Sequence, residues 1–511
     1  MSALTGDTSA TSDVDGPTVK YEHFGVGVYP YERTPSVGFA MSGGGATAAA
    51  CAKGTFRSLL AHDLFAAKIS HVSVCSGSAW TAYPTFYDCK NDSKNYSVVE
   101  LLGGALDIAS LSSADVTAEP QLPDVLVNSA CANILVSLFD DVLPPDRLLT
   151  KAFGQIFLDQ FHLYHADKTC TMAKDEEAAL FLLQEAGMDY VYHARSDMPT
   201  LVSSATVCFP PKEGFERYAI DTTAASVGSW GLSDTSLETT ETDGGTGELV
   251  VGGGRVSSFA HDAKKRAGEK EVVLKEHPYS LHDALATTSL PLEPLLHSGI
   301  SSVLRNFVPQ YNMTTDQDLN KFRCMDGGFV SGTALPSLLV RKLPQIVCCI
   351  NDGNASGPYG TLLPLFGVFS DELLSSNKVQ CFETKDLEVV LQGLQDSQRR
   401  GDDPKYRPAV YTYITRSLDN EYYGIDAYDV SVTFVVNSNC TEFRQLLKPD
   451  VQKLLDAETD FPYIPFLFNV SIQGVEIIQI TSIQAKLLEA LHYFITSTYI
   501  VPMFTTVPRS V

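Results

Sequence analysis

The chain has 511 residues, 44% of them hydrophobic, and carries 61 acidic residues against 37 basic ones, for a formal net charge of −24. This length and hydrophobic content allow a large buried core. The acidic balance argues against nucleic acid as a partner and against anchoring to an anionic membrane by a polybasic patch; neutral or zwitterionic lipid interfaces stay open. No apolar run reaches the roughly 18 residues of a membrane span, so no transmembrane segment is expected.

The first residues of the chain and its cysteine content bear on the cellular compartment in which the protein works. Residues 1–22 are predicted to form a disordered tail, because the first 20 residues are rich in Ser, Thr, Asp and Gly and lack the apolar core of a signal peptide. Eleven scattered cysteines suit buried thiols in a reducing compartment better than a disulfide framework. Six Asn-x-Ser/Thr triplets, which are acceptor sequences for N-glycosylation, favour a secreted protein instead. We expect a cytoplasmic protein, with peripheral contact to lipid interfaces left open.

Strand, glycine turn and helix occur twice within 60 residues. Ser36–Ser42 is a short apolar strand that ends in three glycines, and Ala46–Ala61 has the composition of a buried helix. His71–Cys75 is predicted to be a second strand, and another helix can open from Gly77. This repetition predicts an α/β fold with a parallel sheet.

The remaining elements are less regular. No internal repeat or Pro-rich linker divides the chain, so one body over residues 23–511 is expected. The expected elements are a mostly helical region over Leu101–Glu185, strands over Thr200–Ile220, a loop or mobile flap over Leu232–Gly254, a solvated helix or hairpin over His261–Glu276, a buried strand over Gln345–Asn351 and an amphipathic helix over Ser482–Thr498.

Three short motifs supply the parts of a serine–aspartate acyl hydrolase. The turn Gly43-Gly44-Gly45 would present backbone N–H groups at the start of a helix, which suits an oxyanion. Ser76 lies among small residues at a strand-to-helix turn, which exposes a nucleophilic hydroxyl. Asp326, before two glycines, could accept the serine proton directly, since burial raises a carboxyl pKa toward neutrality.

Together these features resemble the cytosolic phospholipase A2 and patatin family of lipid acyl hydrolases. The elbow with its tryptophan is similar to the cytosolic enzymes, and the Asp-Gly-Gly is more patatin-like. The matching residues are Ser42-Gly43-Gly44-Gly45, Gly54, Cys75-Ser76-Gly77-Ser78-Ala79-Trp80 and Asp326-Gly327-Gly328.

The resemblance implies a three-layer α/β/α fold, a Ser76–Asp326 dyad without histidine, and hydrolysis of fatty acyl esters through an acyl-enzyme. It also implies a cap within residues 100–300, a lipid substrate and no cofactor. Thr47 and Gly77 become candidate substrate-binding residues. The calcium-binding β-sandwich of many relatives needs roughly 100 residues, and 42 precede Gly43, so no calcium requirement is expected.

One position departs from the family pattern. The family usually has an arginine, thought to hold the substrate phosphate, where this chain has Thr47. A neutral glyceride or glycolipid therefore becomes more plausible as substrate. Arg255 and Arg57 are alternative cations for the phosphate role.

Other interpretations stay open at this point. His492 could complete a Ser76, Asp326, His492 triad, or the chain could be an inactive relative that binds lipids or proteins. Gly252–Arg255 is a rival glycine turn, for which a hairpin tip is favoured. His162, His165 and Cys170 lack a fourth partner at ligand spacing, so no metal is expected.

Overall fold

The protein is described by a computed structural model. The residues described are 17–24, 28–92, 94–118, 145–208, 217–229, 235–240, 246–251, 255–261, 263–265, 271–274, 277–289, 310–312, 321–351, 359–369, 377–458, 460–464, 468–471, 474–477 and 480–505.

The strands form one large sheet and several small ones. In chain order they are β1 (Thr18–Lys20), β2 (His23–Phe24), β3 (Val37–Met41), β4 (Ile69–Val74), β5 (Tyr87–Cys89), β6 (Cys170–Ala173), β7 (Tyr190–Ala194), β8 (Thr200–Cys208), β9 (Arg217–Thr222), β10 (Ser226–Ser229), β11 (Thr235–Thr240), β12 (Thr246–Val251), β13 (Arg255–Ser257), β14 (Lys264–Lys265), β15 (Glu271–Val273), β16 (Gln310–Asn312), β17 (Lys321–Asp326), β18 (Gln345–Ile350), β19 (Ala409–Arg416), β20 (Asp429–Val436), β21 (Phe468–Ser471) and β22 (Gly474–Ile477).

The α-helices vary from one turn to almost five. They are α1 (Gly45–Ala61), α2 (Leu64–Ala67), α3 (Gly77–Phe86), α4 (Val98–Leu102), α5 (Ser113–Thr117), α6 (Pro145–Phe157), α7 (Glu176–Glu185), α8 (Leu281–Ser289), α9 (Gly328–Ser331), α10 (Pro336–Leu339), α11 (Asp386–Ser397), α12 (Thr441–Leu446), α13 (Pro449–Ala457), α14 (Ser482–Ile495) and α15 (Val501–Thr505).

The large sheet is mixed. Among the described residues it contains twelve strands, ten of them in the order β19-β20-β18-β3-β4-β8-β9-β10-β13-β2, with β17 added on β8 and β16 on β17. Strands β20, β18, β3, β4 and β8 pair in parallel, whereas the pairs beyond β8 are antiparallel. The predicted parallel sheet is therefore confirmed only at its centre. Three residues join β9 to β10, and so short a connection permits antiparallel pairing alone.

Strand β8 holds two strands end to end along one of its edges. Its first half pairs in parallel with β4, where Ser203 faces Val74. Its second half pairs antiparallel with β17, where Ala205 faces Asp326. The opposite edge of β8 pairs with β9. The carboxyl ends of β4 and β17 therefore meet head-on, with Ser204 between the two pairings.

Helix α1, which follows the glycine turn, packs against α14. A Cβ atom at Gly54 would lie 2.2 Å from the backbone oxygen of Glu489, so only glycine allows this approach. The Glu489 carboxylate accepts from buried Lys53 and from Arg57, each at 2.6 Å. The predicted helix near the end of the chain is confirmed. Ten of the eleven positions from Ala485 to Ile495 are buried, all except Lys486, which is more than an amphipathic surface helix would have.

A buried ionic network connects side chains at the amino end of β4, the end opposite the glycine turn. The Arg341 guanidinium binds Glu32 at 2.6 and 2.8 Å and Asp221 at 2.8 Å. Arg255 also binds Asp221, and His71 Nε2 lies 3.2 Å from Glu32. Burial alone would raise the pKa of Glu32, but the attraction of Arg341 holds it well below its usual range. Burial lowers the pKa of His71, so the network balances two carboxylates against two guanidinium groups.

Several sequence expectations are corrected. Thr18–Lys20 forms β1, paired with β15, so the predicted tail boundary at residue 22 is too late. The expected loop over Leu232–Gly254 contains the antiparallel pair β11 and β12 instead, because a Thr-rich segment forms strands readily. The helical region up to Glu185 also contains β6. The rival glycines 252–254 and residues 119–144 lie outside the described residues.

Two further expectations concern absences in the described part of the chain. Nine cysteines have described side chains, and these nine are all buried and form no disulfide. The helices described there include none that is both long and apolar enough to span a bilayer.

The ionic network predicts a large cost for Arg341→Met. This change would leave Glu32 buried without a guanidinium partner and Asp221 with Arg255 alone, which costs about 3–5 kcal/mol in stability. Urea denaturation at pH 7 should show this loss in the free energy of unfolding.

Arg416→Met is the matched control, because Arg416 pairs with Asp429 at 3.4 Å on the surface, where both side chains are mostly exposed. Its expected cost is below about 1 kcal/mol. Equal losses in the two variants would contradict the importance of the buried network.

Candidate active site

Ser76 lies at the turn between β4 and α3. Its backbone has φ 52° and ψ −133°, a conformation that is unfavourable for a residue with a side chain and typical of strained functional positions. The turn is tight because a Cβ atom at Gly77 would lie 1.9 Å from the Gly45 oxygen. The hydroxyl of Ser78 donates to the backbone oxygens of Met41 and Cys75, which fixes the elbow to β3. The predicted strand–serine–helix arrangement is confirmed.

Asp326 is the last residue of β17 and is 5% exposed. Its carboxylate lies close enough to the Ser76 side chain for that hydroxyl to lower its pKa, and it accepts the Gly328 N–H at 2.7 Å. Its backbone oxygen accepts the Thr206 hydroxyl at 2.7 Å, which holds the end of β17 on β8. The two residues, 250 positions apart in the sequence, therefore meet at the junction of β4 and β17.

The Asp326 carboxyl is electrostatically unusual. Burial raises its pKa to about 6, while the hydrogen bonds from Ser76 and the Gly328 N–H lower it in part. At pH 7 the group is ionised, but its affinity for a proton is much greater than that of an exposed aspartate. These are the properties of a general base that works near neutrality.

Thr288, near the end of α8, connects the backbone at Ser76 with the backbone that follows Asp326. Its backbone oxygen accepts the Ser76 N–H at 2.9 Å and the Gly327 N–H at 3.3 Å. Its hydroxyl donates to the Ser204 oxygen, which lies between the two strand ends. No sequence motif pointed to Thr288, and the run of small polar residues that ends α8 was its one available signal.

The glycine turn lies beside the serine. A Cβ atom at Gly43 would be 3.0 Å from Ser76 Cβ and 3.7 Å from its Oγ, so the missing side chain leaves the hydroxyl open. The Gly43 N–H donates to the Gly332 oxygen at 2.9 Å, and the expectation that it serves an oxyanion is therefore wrong. Within the described ranges, the N–H groups of Gly44 and Gly45 have no acceptor, and they begin the 17-residue helix α1.

The candidates for binding a substrate head group lie elsewhere. Thr47 is buried on α1, and its hydroxyl donates to the Ile464 oxygen at 3.2 Å. Arg255 is buried and donates to Asp221 and Ser226, while Arg57 donates to Glu489 and the Gly104 oxygen. The two arginines are thus committed to structural contacts, and neither takes the place of the missing phosphate-binding cation.

The histidines that were candidates for a base or for metal binding lie in other surroundings. His492 is buried on α14, burial lowers its pKa to about 3, and its Nε2 lies 3.4 Å from Asn437 Oδ1. No hydrogen bond from His492 to Ser76 or Asp326 occurs among the described residues, so the structure gives the triad no support. His162 and His165 both face Asp92, at 3.5 and 3.7 Å, and no metal-binding group of three or more such side chains occurs in the described segments.

Comparison with known structures identifies similar proteins. The structure of human GIVD cytosolic phospholipase A2 matches with a TM-score of 0.48 and 12% identity, covering 91% of this chain and 61% of that chain. This enzyme is of the group that the sequence motifs resemble.

Two inhibitor complexes of the same human enzyme also match at 13% identity over 91% of this chain. The complex with methyl gamma-linolenyl fluorophosphonate has a TM-score of 0.41, and the complex that also contains terbium chloride has 0.42. The chain spans less than two thirds of the length of these solved structures. No protein-family model and no curated protein sequence matches it.

The raised pKa of Asp326 predicts that Asp326→Asn stabilises the fold at high pH. The native pKa of about 6 lies above the ordinary 3.8, so the native state binds more protons between these values and stability falls as pH rises through them. The full cost above pH 6 is about 3 kcal/mol.

Urea denaturation should therefore show little difference between Asp326→Asn and wild type at pH 4, and a gain of up to about 3 kcal/mol for the variant at pH 8. Ser76→Ala keeps the buried carboxyl and should keep the loss of stability at high pH. A variant that is less stable than wild type at pH 8 would contradict this account of the carboxyl.

Proposed function

We propose that the protein hydrolyses fatty acyl esters of lipids with Ser76 as nucleophile and Asp326 as general base. The observation that carries this proposal is the position of the Ser76 side chain beside the buried Asp326 carboxylate, at a strained turn next to the Gly44 and Gly45 N–H groups, which have no acceptor among the described residues. The dyad needs no histidine and no metal ligand.

In the first half of the reaction, Asp326 takes the proton of the Ser76 hydroxyl as Oγ attacks the carbonyl carbon of the ester. The carbonyl oxygen becomes an oxyanion, which the N–H groups of Gly44 and Gly45 and the positive end of α1 would stabilise. The intermediate then collapses, the bond to the alcohol oxygen breaks, and protonated Asp326 returns its proton to the leaving alcohol.

In the second half, water attacks the acyl-Ser76 ester. Asp326 accepts a proton from this water, and the same two N–H groups hold the second oxyanion. Collapse releases the free fatty acid, and the proton on Asp326 passes to Ser76 Oγ. The dyad is thus restored, and one ester plus one water has become one acid plus one alcohol.

The substrate is proposed to be a lipid at a neutral or zwitterionic interface. The net charge of −24 disfavours anionic surfaces, and Thr47 offers no cation for a phosphate. A three-layer α/β/α arrangement, a cap within residues 100–300 and a cytoplasmic location belong to the same proposal.

The dyad is tested with Ser76→Ala and Asp326→Asn. Each variant should lower the release of fatty acid from monoacylglycerol, triacylglycerol, phosphatidylcholine and galactolipid by at least about a thousandfold, since loss of an activated nucleophile or its base removes the covalent route. Release is measured by titration of free acid.

A fluorophosphonate probe should label wild type and not Ser76→Ala. His492→Ala is the control for the histidine alternative. Normal turnover by either dyad variant would exclude the dyad, and complete failure of the wild type to label or hydrolyse would favour a binding protein that lacks catalysis.

The base also predicts the pH profile. Asp326 must be ionised to take the serine proton, so kcat/KM for the uncharged ester p-nitrophenyl butyrate should rise with pH through about 6 and then level off. Rates are measured where the protein stays folded. Activity that is greatest below pH 5 would contradict Asp326 as the base.

A further inference from the structure

Asn351 occupies the same row of the sheet as the glycine turn and the serine. Cys349 of β18 pairs with Met41 of β3. The two chains stay in register beyond this pair: the Ser42 N–H donates to the Cys349 oxygen at 2.9 Å, and the Asn351 N–H donates to Ser42 Oγ at 2.7 Å. Asn351 therefore stands beside Gly43, which itself lies beside Ser76.

The side chain of Asn351 is unusual for the interior. It is 0% exposed, and neither its Oδ1 nor its Nδ2 has a hydrogen-bond partner among the described residues. A buried carboxamide without partners destabilises a fold, so its presence calls for an explanation. Asn437, one strand further along the row, shows the ordinary situation, because its Nδ2 donates to the Pro462 oxygen at 2.7 Å.

The position sets which part of a substrate Asn351 could reach. Neighbouring strands lie about 4.8 Å apart, so two strand spacings place Asn351 about 10 Å from Ser76 along the row. The N–H groups of Gly44 and Gly45 are already assigned to the reacting oxygen in the proposed mechanism, so Asn351 is placed beside a part of the substrate a few bonds beyond the ester. Gly43 stands between Asn351 and Ser76 in this row and carries no side chain.

We propose that Asn351 binds a hydroxyl group on the alcohol portion of the lipid ester, which makes an uncharged polyol such as glycerol or a sugar the head group. This inference rests on the proposed function. A carboxamide offers one donor and one acceptor group, and a hydroxyl can satisfy both. A phosphate only accepts, so it would leave Oδ1 unpaired and facing negative oxygens.

The test compares wild type with Asn351→Leu, which keeps the size of the side chain and removes the amide. For 1-oleoylglycerol, kcat/KM should fall about tenfold, mainly through KM, because the hydrogen bonds to the hydroxyl are lost. For p-nitrophenyl butyrate, which has no such hydroxyl, kcat/KM should stay within about twofold. The Tm of the variant should equal or exceed that of wild type, since an unpaired buried amide is gone.

Asn437→Leu is the matched control, and its Tm should fall because a satisfied hydrogen bond is removed. A lower Tm for Asn351→Leu, an equal loss on both esters, or no loss on 1-oleoylglycerol would each overturn the inference.

Binding separates this inference from the proposed hydrolysis. The non-hydrolysable ether 1-O-hexadecylglycerol should raise the Tm of Ser76→Ala but not that of Ser76→Ala with Asn351→Leu. If wild type hydrolyses nothing yet this difference appears, the proposed function fails and the Asn351 site stands. If wild type hydrolyses lipid esters and the ether shifts both proteins equally, the Asn351 site fails alone.

Discussion

The candidate site depends on one pairing constraint, the sharing of a single edge of β8 by β4 and β17. Ser203 pairs with Val74 of β4, and Ala205 pairs with Asp326 of β17. Because β4 runs parallel to β8 and β17 runs against it, their carboxyl ends must converge at Ser204. The hydroxyl and the carboxylate then meet without any long side chain between them, and Thr288 joins the two backbones through one oxygen.

The two ends of the central sheet differ in their chemistry. At the amino end of β4, opposite charges are buried and paired in the network around Arg341 and Glu32. At the carboxyl end, Asp326 is buried, and the described groups that favour its charged form are the Ser76 side chain and the Gly328 N–H. The first arrangement lowers a carboxyl pKa, whereas the second raises one and costs stability at a pH above about 6.

The sequence predicted the local elements of the site well. Glycine, serine and small residues determine backbone conformation over a few positions, so the elbow at Ser76 and the helix after Gly45 follow from composition alone. It did not predict what depends on register. The Gly43 N–H is taken by Gly332, and Thr288 joins the two halves, because pairings between distant segments decide which backbone groups remain available. The strands β11 and β12 were missed for a similar reason, since a polar segment gains its structure from a partner strand.

The contact between Gly54 and Glu489 has a consequence for biosynthesis. A ribosome delivers the elbow and α1 early, but α14 emerges more than 400 residues later. Until then the nascent chain holds Lys53 and Arg57 without their shared carboxylate, and one face of α1 has no covering layer. That face of α1 can therefore be covered by α14 only after residues 482–495 have been synthesised.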